Sequence, residues 1–158
     1  MWRFHRRARH DGSGHAFSFI FYADRQTAGK VIATIEKSPA LTRLSQHGLI
    51  DSYENDLAAE NQRSSPGATS DPKWSLPLQE VWPAYIMGAS VTWLGLINQH
   101  FDATGAADRD FDELVAAYET VEAALGELWR KEGQHAFLHH LNGLFGYEPM
   151  QLRIETNF

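Results

Sequence analysis

The sequence predicts an α+β domain in which a small antiparallel sheet is covered on one face by four to five helices. Three observations predict it. Residues 1–9 and 15–23 alternate apolar and polar side chains, the period of a half-buried strand. The same alternation returns at the far end in Met150, Leu152, Ile154, Thr156 and Phe158. Between them, apolar residues recur at the three- and four-residue spacing of helices. Helices segregated to one face of an antiparallel sheet are one of the few ways such elements bury their apolar sides.

The first two strands read as a hairpin. Trp2 and Phe4 alternate in one run, Phe17, Phe19 and Phe21 in the other, and His10-Asp11-Gly12-Ser13-Gly14 supplies the turn, since Asp-Gly tolerates positive φ. Pairing of this hairpin with strand 150–158 would tie the two ends of a single domain, 1–158, together.

Asp24 is placed to cap a helix over 25–37 that carries Ala28, Val31, Ile32 and Ile35 on one side. Ser38-Pro39 restarts a short helix that stops at Gly48. Leu49–Tyr53 is read as a short further strand. Residues 54–73 are polar and broken by Pro and Gly, a length of connection expected to be a lid or a disordered polar loop. A helix over 77–99 follows, with Leu78, Val81, Trp82, Tyr85, Ile86, Trp93 and Leu96 in a broad apolar stripe and Pro83 expected at or just after its first turn. A helix over 109–131 keeps the same period through Leu114, Tyr118, Val121, Leu125 and Leu128. Gly133 is read as a break, and 134–145 as a last helix.

Composition narrows function by exclusion. There is no cysteine, which removes disulfides, thiolate nucleophiles and cysteine-held metal clusters and fits a reducing, cytoplasmic setting. The first ten residues are basic, but Asp11–Gly14 interrupts them before any apolar run, unlike a secretory signal. Val81–Gln99 is uncharged, yet its Pro83, glycines and polar residues read as a buried helix rather than a membrane span. Phosphate-binding glycine loops, a dinucleotide fingerprint, the Gly-x-Ser-x-Gly elbow and His-Glu-x-x-His are all missing, so no nucleotide or flavin motif is present. Arg3, Arg6, Arg7 and Arg9 make a basic arm. With a net charge of −6 on the chain, nucleic acid is a poor partner for it, and an anionic small molecule or a second subunit a better one.

Two groups of residues carry candidate chemistry. In an α-helix, Glu132, His135 and His139 share one face, the arrangement of a mononuclear divalent-metal site. In the leading expectation His135, His139 and Glu80 are the catalytic acid–base residues. They would act on an apolar or aromatic small molecule, by proton transfer, elimination or cyclisation. Trp82, Tyr85, Trp93 and His100 would line its pocket between helices 77–99 and 134–145. The bland readings are equally concrete: aromatic residues at helical spacing build cores, and histidines on a surface helix complement its dipole. The alternative function is a non-catalytic protein–protein interaction module. Nine Phe, five Tyr and five Trp on so small a domain point to self-association, a homodimer.

Overall fold

A computed structural model describes residues 1–7, 16–57, 65–104 and 109–147. The chain is α+β, and it divides into two compact units, Met1–Phe111 and Asp112–Phe158. The expected turn at 10–14 and the expected strand at 150–158 lie outside the described residues.

In the first unit, β1 (Trp2–Arg7) and β2 (Ala16–Phe21) pair antiparallel, with Trp2 opposite Phe21, Phe4 opposite Phe19 and Arg6 opposite Phe17. The Tyr22 N–H donates to the Met1 carbonyl at 2.8 Å. Met1–Tyr22, Arg3–Ile20, His5–Ser18 and Arg7–Ala16 are therefore the hydrogen-bonded pairs, and Trp2–Phe21, Phe4–Phe19 and Arg6–Phe17 between them are the closer, non-bonded ones. Phe4 and Phe19 accordingly bring their rings to 5.3 Å. The backbone amides of these aromatic residues point away from the hairpin, those of β1 to one edge and those of β2 to the other.

The helices follow local chemistry. At the start of α1 (Arg25–Glu36) the Asp24 carboxylate accepts from the Thr27 N–H at 2.9 Å and from the Thr27 hydroxyl at 2.7 Å. Helix α2 (Pro39–Gln46) begins with Pro and ends at Gly48, whose φ of 68° only glycine adopts without strain. There the Leu49 N–H donates to the Leu44 carbonyl and the Gly48 N–H to the Ser45 carbonyl, a double C-terminal cap. That cap uses Leu49, and no strand forms over 49–53, in place of the short one the apolar pair Leu49-Ile50 predicts.

Helix α3 (Leu76–His100) organises the first unit. Its Ser90 hydroxyl donates to the Ile86 carbonyl at 2.8 Å and accepts from the Phe4 N–H at 3.0 Å, so the helix takes up the outward amide of β1. Trp93 adds an edge-on ring contact with Phe4 at 5.7 Å. Pro83 is fully buried and sits beyond the first turn, deeper in the helix than its spacing predicts. Proline has no N–H for the carbonyl four residues back, here that of Gln79. The Ser70 hydroxyl donates to that carbonyl instead, at 2.8 Å. Ser70 ends a short 3-10 turn, Gly67–Thr69, whose Thr69 carbonyl and hydroxyl both accept from the buried Arg3 guanidinium. The later part of the polar 54–73 connection is thus fastened to both β1 and α3, and Arg3 is engaged inside the unit.

In the second unit, α4 (Phe111–Leu128) runs without a break into a π-helical segment, Trp129–His139, and then into the short α5 (His140–Gly143). Gly133 does not end the helix. It is buried within the widened turn, where the absent Cβ leaves room for the Trp129 ring, whose Cε3 would stand 3.0 Å from it.

Ser70 and Ser90 are 7% and 5% exposed, and each supplies a backbone group with its partner. Replacing either by Ala is expected to strand a polar group and cost about 1–3 kcal/mol, read as a lowered midpoint in urea unfolding. Asp24 gives a pH signature. Hydrogen bonds from Thr27, first from its backbone and then from its hydroxyl, hold this carboxyl below its ordinary 3.8. A depressed folded-state value contributes stability above the unfolded value and loses it as pH falls through the folded one. Asp24→Ala is thus expected to lower thermal stability near neutral pH, and the gap from the parent protein to close in acid.

Candidate functional site

The imidazoles converge, but on each other. In a π-helix the repeat lengthens, with i→i+5 bonding. Residues four and five apart then share a side, where the α-helical pattern would align i, i+3 and i+7. His135 and His139 stack at 4.8 Å, His140 stands edge-on to both at 6.3 and 5.6 Å, and Tyr147 lies 5.1 Å from His139. The ring of His140 also contacts the Ala136 carbonyl through Nδ1 at 2.7 Å. All three histidines and Glu132 are exposed. Among the described residues no set of three His, Asp or Glu side chains is arranged to hold a metal ion.

Glu80, the expected acid–base partner, is exposed on α3 in the first unit, whereas the imidazoles belong to the second. The expected pocket wall divides in two. Trp82 packs edge-on against Trp74 at 4.8 Å and tilts over Tyr85 at 5.3 Å. Trp93 belongs instead to the hairpin, against Phe4 and, at 6.4 Å, Phe17. His100 is exposed at the last turn of α3.

A recess lies where the open end of the hairpin meets the Pro66–Thr69 turn, walled by Trp2, Arg3, Phe21, Tyr22, Pro66 and Thr69. It encloses about 10 Å³. That is room for one water at most, far below the several hundred Å³ of a small-molecule site.

The feature that sequence reasoning missed is the outer edge of β2. Among the described residues the sheet has two strands, so one edge of β2 faces no strand. Phe17 and Phe19 remain 55% and 36% exposed there, and β2 carries no charge over its whole length. Its composition was the available signal: Ala-Phe-Ser-Phe-Ile-Phe has none of the lysines, prolines or acids that ordinarily blunt an edge strand. Among the described residues no helix is long and apolar enough to cross a membrane. A comparison with protein-family models, with curated proteins and with solved structures finds no match for this chain.

The packing of Trp129 over Gly133 sets the turn that carries the imidazoles. Gly133→Val is expected to expel the indole from its seat, seen as a shift in tryptophan emission, and to lower the unfolding temperature. Unchanged emission and stability would show that the turn tolerates a side chain.

Proposed function

We propose that the protein is a non-catalytic interaction module that captures an extended segment of polypeptide along the outer edge of β2. The observation that carries this reading is the asymmetry of the hairpin. The edge of β1 is occupied, its Phe4 amide taken by Ser90 and its ring by Trp93. The edge of β2 turns its three phenylalanine amides and carbonyls away from β1, where they meet no strand among the described residues, beside the exposed rings of Phe17 and Phe19. An added strand would gain backbone hydrogen bonds from that edge and specificity from alternate side chains laid on the aromatic face. The exposed imidazoles and the water-sized recess favour this reading over acid–base chemistry on a small molecule.

A display library of random linear peptides tests it. Enriched peptides are expected to alternate apolar and polar residues and to slow hydrogen exchange at the amides of Phe17, Phe19 and Phe21. Phe19→Lys is expected to weaken them by about tenfold or more, the equivalent of ~1.4 kcal/mol. Failure to enrich any peptide, or binding indifferent to Phe19→Lys, would overturn the reading.

A further inference from the structure

The strand that β2 captures need not come from a different protein. Resting on the interaction reading above, we infer that its partner is β2 of a second copy of this chain, paired antiparallel about a two-fold axis at Phe19.

The register follows from which amides face away from β1. Ala16, Ser18 and Ile20 are turned toward β1, so the outward groups of β2 belong to Phe17, Phe19 and Phe21. Antiparallel pairing centred on Phe19 sets Phe19 opposite its own copy and Phe17 opposite Phe21 of the other copy. Each outward amide then meets a carbonyl, because hydrogen-bonded pairs recur at every second residue of an antiparallel ladder. The same register keeps every phenylalanine on one side. The aromatic face of Trp2, Phe4, Phe17, Phe19 and Phe21 continues across the axis into its duplicate.

Charge favours a copy of the chain over a foreign strand. Residues near a two-fold axis face themselves, so any ionised group there repels its own image. Strand β2 meets that condition with no charged residue from Ala16 to Phe21, in a chain that otherwise carries 34 acidic and basic side chains. A site shaped for a charged foreign segment would be expected to present a complementary charge beside the edge.

Closure favours a dimer over a fibre. Pairing two copies consumes the β2 edge of each, and the far edges of the resulting four-stranded sheet are the β1 edges, where α3 takes the Phe4 amide and covers its ring. The contact is small. A six-residue strand is about 20 Å long, against the roughly 20–30 residues a side of a standard interface. Association is therefore expected in the micromolar range.

Sedimentation equilibrium of the full chain from about 1 to about 100 μM is expected to show a monomer–dimer equilibrium, spanning the range of such small contacts. Phe19→Lys, which sets two ammonium groups across the axis, is expected to leave a monomer with unchanged circular dichroism. Phe19→Cys supplies a check independent of that variant's folding. The chain has no cysteine of its own, so mild oxidation is expected to give a disulfide-linked dimer, whereas Thr27→Cys on α1 stays monomeric. A chain that is monomeric throughout that range overturns the inference, and so does a dimer in which Phe19→Cys does not cross-link. Neither result touches the peptide experiment, which decides the interaction reading separately.

Discussion

A two-stranded hairpin is marginal in water, and what holds this one is the union of β1 with α3. The union rests on backbone accounting as much as on apolar contact. An edge strand presents a row of amides and carbonyls, and a helix has no free backbone along its flank to answer them. Ser90 supplies the missing acceptor. Its hydroxyl gives its proton to Ile86 within the helix and keeps a lone pair for Phe4, so a single oxygen closes both demands. Trp93, nearly one turn on, then covers the ring of the residue whose amide Ser90 holds.

The same logic explains how a proline survives deep inside a 25-residue helix. An interior proline costs about 3 kcal/mol or more, through the lost hydrogen bond and the crowded carbonyl behind it. Here the orphaned Gln79 carbonyl becomes a docking point, and Ser70 reaches it from the neighbouring turn. Burial of Pro83 and fastening of the 65–70 segment are two sides of one arrangement. Arg3 completes it by gripping Thr69 from the strand side. The sheet, the helix and the polar connection are therefore joined through Arg3, Ser70 and Ser90, the buried polar residues of the unit among the described residues.

What was legible in the sequence is what leaves a local period or a local stop. The alternation of Trp2 and Phe4 against Phe17, Phe19 and Phe21 is the register that forms, and Asp24, Pro39 and Gly48 mark helix ends that the chain uses. Long-range hydrogen bonds leave no such trace. Nothing around Ser90 announces that it meets a strand 86 residues earlier, and a serine is an ordinary solvent-facing residue on a helix until that partner is known. Helical spacing placed Trp82, Tyr85 and Trp93 on one element but could not say that the first two meet Trp74 while the third meets the hairpin. Gly133 misled for a related reason. A glycine is read as a helix breaker from its backbone freedom, yet here its value is the space that a missing Cβ leaves for Trp129. The widened turn keeps His135 beside His139 and adds His140 to them, a neighbour that a face of Glu132, His135 and His139 drawn with the α-helical period leaves out.

The two edges of the hairpin show how a fold can contain its own interaction logic. Sealing both edges would leave a closed but functionally mute ribbon, and leaving both open would invite unlimited strand addition. A helix takes the Phe4 amide at one edge, while the other edge is uncharged and aromatic and meets no strand among the described residues. Such an edge is costly to expose, because half-exposed phenylalanines order water that association would release. In the proposed pairing, covering them is favourable and growth stops after a single step. The stability of the hairpin on α3 and the reactivity of its free edge thus have one origin. The outward amide of Phe4 is satisfied by Ser90, while those of Phe17, Phe19 and Phe21 face away from β1 at the edge where the proposed partner would add.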